Sequence, residues 1–222
     1  AILVGNNNPI KKKLIKNNVE IIDDVKKEKS IITVLIKQLR VYQWSKNFLL
    51  FVPALASHKL MDDGLFINTL QGFIAFCFLA SGIYVINDII DVDNDRKHPE
   101  KKIRPIAAGD LSISSAYLIL LFCVLVGGWL AIGLGTMFFF IAIGYIILNL
   151  LYAFYFKSVA ILDVVFLMTF YTLRLIAGHV PDLIPLSPWL LSFSIFLFFS
   201  LGLMKRYIDI ILMEKNNINK LI

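Results

Sequence analysis

The sequence predicts an all-α fold, a multi-pass bundle of transmembrane helices. Three observations carry that reading. Hydrophobic residues make up 58% of the 222 and charged residues only 17%, where a soluble domain has roughly a quarter charged. Mean hydropathy is +0.76. Several uncharged apolar runs reach the roughly 18 to 20 residues that cross a hydrocarbon core. The net charge of +6 is therefore weighed by position along a membrane chain, and nothing in it calls for nucleic acid. Cys77 and Cys123 both lie inside apolar runs, which suits small buried residues better than a disulfide or a metal site.

The chain opens outside the membrane part. Residues 1–9 read as a short buried strand closed by Asn-Asn-Asn-Pro, and a mixed-charge stretch follows to Ser30. The opening lacks an initiator Met and no cleavable signal is visible. The expectation is a cytoplasmic segment over 1–30, the end of a fused or partner soluble domain, on a chain that is itself a fragment. The membrane domain is expected over 31–210, with a polar tail over 211–222.

Ser30 is a candidate N-cap for a first helix. In that helix Arg40, Gln43, Lys46 and Asn47 recur at i, i+3, i+6 and i+7, forming one polar stripe at membrane depth or its rim. Intramembrane polar groups normally face a cavity or the bundle interior. Trp44 beside them suits an interfacial anchor. The run continues to Ala56, interrupted by Pro53.

Residues 66–86 form the second span. No charge then occurs from Leu111 to Phe156. At 1.5 Å per residue that run would reach roughly 70 Å, about twice a hydrocarbon core. Gly127, Gly128, Gly133 and Gly135 mark the break, so two helices are predicted over 112–131 and 136–156. A fifth span covers 161–178, a Pro-rich turn (Pro181, Pro185, Pro188) follows, and a sixth covers 189–204. With the N-terminus cytoplasmic, Arg96, Lys97, Lys101, Lys102, Arg104, Lys157, Lys205 and Arg206 fall on the cytoplasmic side. Only Lys59 is basic on the other side. That asymmetry obeys the positive-inside rule and places the protein in the cell membrane with the loop after the second span in the cytoplasm.

That loop carries the chemistry. Asp88, Asp91 and Asp95 stand at i, i+3 and i+7, so a continuing helix puts their carboxylates on one face within about 60°. Asn87 lies one turn before Asp91. Like charges stacked in this way repel unless cations bind between them. Mg²⁺ shared with a diphosphate is the economical cation, because it takes few protein oxygens and several phosphate oxygens. An acidic loop simply solvated at a helix end is the alternative. Asp93 points off the face and fits a solvated role.

Lys101 and Arg104, with Pro105 fixing the chain, are candidate phosphate contacts. In the fifth span Asp163 and Arg174 share a face, roughly 16 Å apart along the axis. Each either lines a cavity or pairs with another helix. Tyr152 and Lys157 close the fourth span near the acidic face, although Lys157 also suits plain snorkelling. His98 and His179 have no metal-ligand spacing.

Asn87-Asp88-x-x-Asp91-x-x-x-Asp95, followed by Pro99-x-Lys101-x-x-Arg104-Pro105 and Gly109, resembles the first aspartate motif of the UbiA-type intramembrane prenyltransferase superfamily. Arg40-x-x-Gln43-Trp44-x-Lys46-Asn47 is similar to the branch that contains decaprenyl-phosphate phosphoribosyltransferase, with Val41 where a proline is frequent. The superfamily commonly has nine spans, so a C-terminal third is expected beyond the six read here.

The resemblance implies an Mg²⁺-dependent transferase that moves 5-phosphoribose from phosphoribosyl diphosphate (PRPP) to a polyprenyl phosphate. It implies Asp88, Asp91, Asp95 and Asn87 as metal ligands. Together with the positions above, substrate contacts are expected among Lys46, Lys101, Arg104, Arg40, Gln43, Asn47, Tyr152, Lys157, Asp163 and Arg174. Members that transfer prenyl groups carry a second aspartate pair after the fourth span. Here Asp163 has Leu167 four residues on, which favours PRPP over a prenyl diphosphate. Prenyl transfer to an aromatic or lipid acceptor is the alternative enzyme. A transporter with an acidic ion site is the alternative of another class, and a cytoplasmic-facing cluster away from the midplane argues against it.

Overall fold

The structure is a computed structural model that describes residues 2–4, 23–25, 30–59, 64–156, 159–181 and 183–218. It comprises two units, residues 1–36 and 37–222. In the first, β1 (Ile2–Val4) pairs in parallel with β2 (Asp23–Val25), Ile2 opposite Asp23. The second strand falls in the stretch read from sequence only as mixed charge. The first unit also holds most of α1 (Ile31–Gln38).

Among its described residues the second unit consists of helices joined by turns. A 3₁₀ segment (Val41–Phe51) runs into the short α2 (Val52–Ala56). The long α3 (Leu65–Ile90) leads into α4 (Val92–Lys97), a 3₁₀ turn (Lys101–Ile103) and α5 (Pro105–Ala108). Then come α6 (Ile113–Gly133), α7 (Thr136–Leu151) with a π-helical turn (Tyr152–Phe156), α8 (Ala160–His179) and α9 (Pro188–Ile218).

Among the described residues five helices are long and apolar enough to cross a membrane: α3, α6, α7 with its π turn, α8, and α9 as far as Ile208. The expected first span is not one of them. Arg40 adopts φ 50°, ψ 48°, a left-handed conformation that costs a non-glycine residue about 1 kcal/mol or more. The α-helix therefore stops at Gln38 and restarts as 3₁₀. The uncharged run from Leu111 divides where expected, at Leu134 and Gly135, the latter with φ 99°.

The core lies where α3 meets the 3₁₀ segment, α7 and α8. Leu50, Ala75, Phe76, Leu79, Phe138, Tyr145 and Phe170 form one buried cluster, with the Phe76 ring edge-on to Phe138. Two glycines set how closely helices approach. A Cβ on Gly127 of α6 would stand 2.7 Å from Leu79 Cγ of α3, and one on Gly178 of α8 would stand 2.2 Å from the Leu50 carbonyl oxygen. Outward faces of α6 and α9 carry Phe122, Trp129, Phe193 and Phe196, all exposed. Such a surface suits lipid rather than water.

Candidate functional site

The site is assembled at the end of α3. Helical hydrogen bonding continues across the α3–α4 junction, with Asp91 N–H donating to Asn87 O (2.9 Å) and Asp95 N–H to Asp91 O (2.8 Å). Asp88 and Asp95 therefore turn the same way, as the spacing predicts, and both are 2% exposed. Asp93 lies off this face, its side chain 83% exposed and 3.5 Å from Arg96.

Cations do lie among these carboxylates, and they are guanidinium groups. Arg104 Nη1 donates to Asp95 Oδ2 at 2.6 Å and to Asp88 Oδ1 at 3.0 Å. Arg40 Nη2 donates to the same Asp88 oxygen at 2.6 Å, and Gln38 Nε2 donates to Asp88 Oδ2 at 3.1 Å. Local backbone explains both arginines. Arg104 precedes Pro105, which holds it extended (φ −63°, ψ 142°), so its side chain folds back over α4. The left-handed turn at Arg40 aims its side chain at Asp88 and lays the guanidinium over the Tyr84 ring, 4.7 Å from its centre. The Leu39 carbonyl accepts from Ser81 Oγ (2.8 Å), which accepts from Trp44 Nε1 (3.0 Å). Trp44 thus ties the turn to α3.

A cleft of about 220 Å³ opens beside the pair, lined by Arg40, Tyr84, Asn87, Asp88, Asp91, Lys101, Arg104 and Tyr152 among others. Seven of the sequence candidates are therefore gathered at one surface: Arg40, Asn87, Asp88, Asp91, Lys101, Arg104 and Tyr152. Asp95 stands behind Arg104. Lys101 is carried on the 3₁₀ turn, where His98 Nδ1 accepts from the backbone N–H of Glu100 (3.2 Å) and of Lys101 (3.3 Å).

The polar stripe on the first helix is divided. A 3₁₀ helix has three residues per turn, so Gln43 and Lys46 share a face while Asn47 turns inward. Asn47 is buried, donates to Cys77 Sγ (3.2 Å) and accepts from Arg174 Nε (2.7 Å). Arg174 also donates to Phe170 O and Tyr145 Oη, each at 2.7 Å. A second cavity of about 180 Å³ is lined by Lys46, Tyr84, Asn87, Tyr145, Asn149, Tyr152, Arg174 and neighbouring apolar groups. It shares Tyr84, Asn87 and Tyr152 with the first cleft. Asp163 lines neither; it accepts a hydrogen bond from Tyr152 Oη. Lys157 lies outside the described residues.

Residues absent from the sequence reading also serve the site. Gln38 holds Asp88, and Tyr84 lines both cavities. Tyr84 sits four residues before Asp88, so helical spacing could have shown it. Tyr145 was invisible because its partner Arg174 is 29 residues away.

Among the described residues no three His, Cys, Asp or Glu side chains converge on one point. The three-aspartate clamp expected from the spacing is not formed, because Arg104 stands between Asp88 and Asp95. Asn87 and Asp91, one turn apart on the cleft wall, supply protein oxygens of the number and kind that Mg²⁺ takes when phosphate oxygens complete its shell. To that extent the residues fit the ion.

Residues 48–215 match the UbiA prenyltransferase family. The chain is 37% identical over 209 residues to the uncharacterized protein y4nM of Sinorhizobium fredii, covering 94% of this chain and 40% of that protein. It is 36% identical over 203 residues to the decaprenyl-phosphate phosphoribosyltransferase of Corynebacterium glutamicum, covering 87% of this chain and 60% of the enzyme. The chain thus spans between two fifths and three fifths of these relatives' lengths. The fold resembles that of a UbiA homolog from Archaeoglobus fulgidus bound to DMAPP and Mg²⁺, with TM-score 0.63 and 20% identity over 75% of this chain and 60% of that one. By sequence match and by fold, this multi-pass chain belongs to the UbiA prenyltransferase family.

Proposed function

We propose that the protein transfers 5-phosphoribose from PRPP to a polyprenyl phosphate and releases diphosphate. The observation that carries this is the isolation of Asp163. It lines neither cavity and is bonded by Tyr152, so α8 presents no second carboxylate to a diphosphate in the cleft. One aspartate motif and a basic rim suit the phosphoribosyl donor. The likeness to the Corynebacterium phosphoribosyltransferase supports the same reading.

In this reading the diphosphate of PRPP lies in the cleft against Arg40, Lys101 and Arg104. Mg²⁺ would be held by Asn87 and Asp91 and would neutralise phosphate charge on the leaving group, while Asp88 and Asp95 hold Arg40 and Arg104 at the cleft. The C1–O bond to diphosphate breaks, and a lipid phosphate oxygen forms the new bond to C1. Arg40, Lys101 and Arg104 stabilise the charge that builds on the departing diphosphate. The acceptor is already an anion, so no general base is required. Its tail lies among apolar helix faces in the bilayer. The Lys and Arg distribution supports a cytoplasmic site, with the N-terminal segment and the Asp-rich loop on that side.

The test is an assay of membranes containing the full-length protein, with labelled PRPP or labelled prenyl diphosphate, with and without Mg²⁺. Label from PRPP should enter the lipid fraction only with the metal. Entry of label from the prenyl diphosphate alone would replace this reading by prenyl transfer.

A further inference from the structure

Arg174 is 4% exposed, and its three hydrogen-bond acceptors are neutral: Asn47 Oδ1, the Phe170 carbonyl and Tyr145 Oη. Its guanidinium also lies over the Tyr145 ring, 4.9 Å from the centre. A buried cation without a counter-charge is costly, and truly buried charges are normally paired. Among the described residues no carboxylate pairs with Arg174, Lys46 or Lys205.

These three cations line two neighbouring cavities. Arg174 and Lys46 line the second cavity. Lys46 and Lys205 line a third, of about 320 Å³ between α8 and α9, whose other walls include Tyr171, Phe198 and Gly202. The second and third cavities share Lys46, Leu167 and Tyr171. The Asp-rich cleft has its own cations, and neither Arg174, Lys46 nor Lys205 lines it.

We propose that Lys46, Arg174 and Lys205 form a second anion subsite, separate from the diphosphate cleft, that binds a phosphate monoester. Arg174 supplies a fixed positive charge, held in place by Asn47 and Tyr145. Lys46 and Lys205 are flexible ammonium groups that close on the dianion from two elements, the 3₁₀ segment and α9. The phosphoryl group enters at Lys46, and the remainder of the molecule extends either toward the Asp-rich cleft through Tyr84, Asn87 and Tyr152 or toward the apolar walls between α8 and α9. Two phosphomonoesters have the right chemistry, the 5-phosphate of a phosphoribosyl donor and the head group of a polyprenyl phosphate. Their identification rests on the proposed transfer; the anion subsite itself rests on the uncompensated charge.

The full-length protein in nanodiscs is titrated with ribose 5-phosphate, with a polyprenyl phosphate, and with inorganic diphosphate plus Mg²⁺. Lys46→Met and Lys205→Met are the test variants, because neither lysine makes a hydrogen bond or ion pair among the described residues. Each should weaken one phosphomonoester by about tenfold, the loss of one charge-assisted contact, and leave diphosphate binding within about twofold. Lys46→Arg should retain the affinity. Loss confined to ribose 5-phosphate assigns the donor, and loss confined to the lipid assigns the acceptor. Unchanged binding of both monoesters, or equal weakening of diphosphate, overturns the subsite. A retained subsite in a protein that does not accept labelled PRPP would instead count against the proposed reaction.

Discussion

Arg40 Nη2 lies 2.6 Å from Asp88 Oδ1, and it reaches that oxygen from a left-handed backbone at φ 50°. A strained residue persists only where its surroundings hold it. Here Ser81 and Trp44 grip the turn from α3, and the ion pair to Asp88 completes it. Sites that demand such a conformation are enriched in function, and this one ends at the motif.

Asp88→Asn should abolish transfer, with the protein still recovered folded from membranes. The Asn amide keeps one acceptor oxygen, for Arg40 and Arg104, while its NH₂ faces Gln38 Nε2, so the stability cost should be about 1–3 kcal/mol. Labelled PRPP transfer and the thermal midpoint in detergent check the two halves. Retained activity would remove Asp88 from the reaction.

Asp163→Asn is expected to behave differently. If only one aspartate motif serves the metal, the Mg²⁺ concentration that gives half-maximal rate should stay within about twofold, with a modest loss of rate as the Tyr152 hydrogen bond weakens. A metal requirement raised by tenfold or more would restore Asp163 as a second metal-binding carboxylate.

Ser81→Ala removes the acceptor for Trp44 Nε1 and the donor to Leu39 O. Leaving these groups unmatched should cost about 1–3 kcal/mol. Because the same turn aims Arg40, kcat/KM should fall as well, although Ser81 does not line the cleft. A melting curve paired with kinetics separates the effects, and Thr at this position should recover part of both.

Gly178→Ala places a methyl group 2.2 Å from the Leu50 carbonyl oxygen, so α8 must move away from the 3₁₀ segment. Overpacking of this kind costs about 1–3 kcal/mol. Gly144→Ala meets open space and serves as the neutral comparison. Equal midpoints for the two variants would contradict the close approach.

Local properties of the chain were legible from the residues. Apolar run length located α3, α6, α7, α8 and α9, and the i, i+3, i+7 spacing put Asp88 and Asp95 on one side of a helix. Three features were not legible, each for a physical reason. A left-handed Arg40 leaves no trace in composition, because arginine has no propensity for that region, so one continuous first helix was expected and a broken one occurs. Charge balance is a property of space, so Arg104 between Asp88 and Asp95 could be read only as a phosphate contact. The pairing of Asn47 with Arg174 crosses 127 residues, beyond any periodicity.

That last distance has a consequence for how the chain is made. Asn47 leaves the ribosome long before Arg174, and at the usual 5 to 20 residues per second the gap is roughly 6 to 25 s. During that interval the 3₁₀ segment cannot acquire its final hydrogen bonds. What is already available to hold it is Cys77, 30 residues after Asn47, and Ser81, 37 residues after Trp44. The order of synthesis therefore makes the partners on α3 available to the first segment well before those on α8.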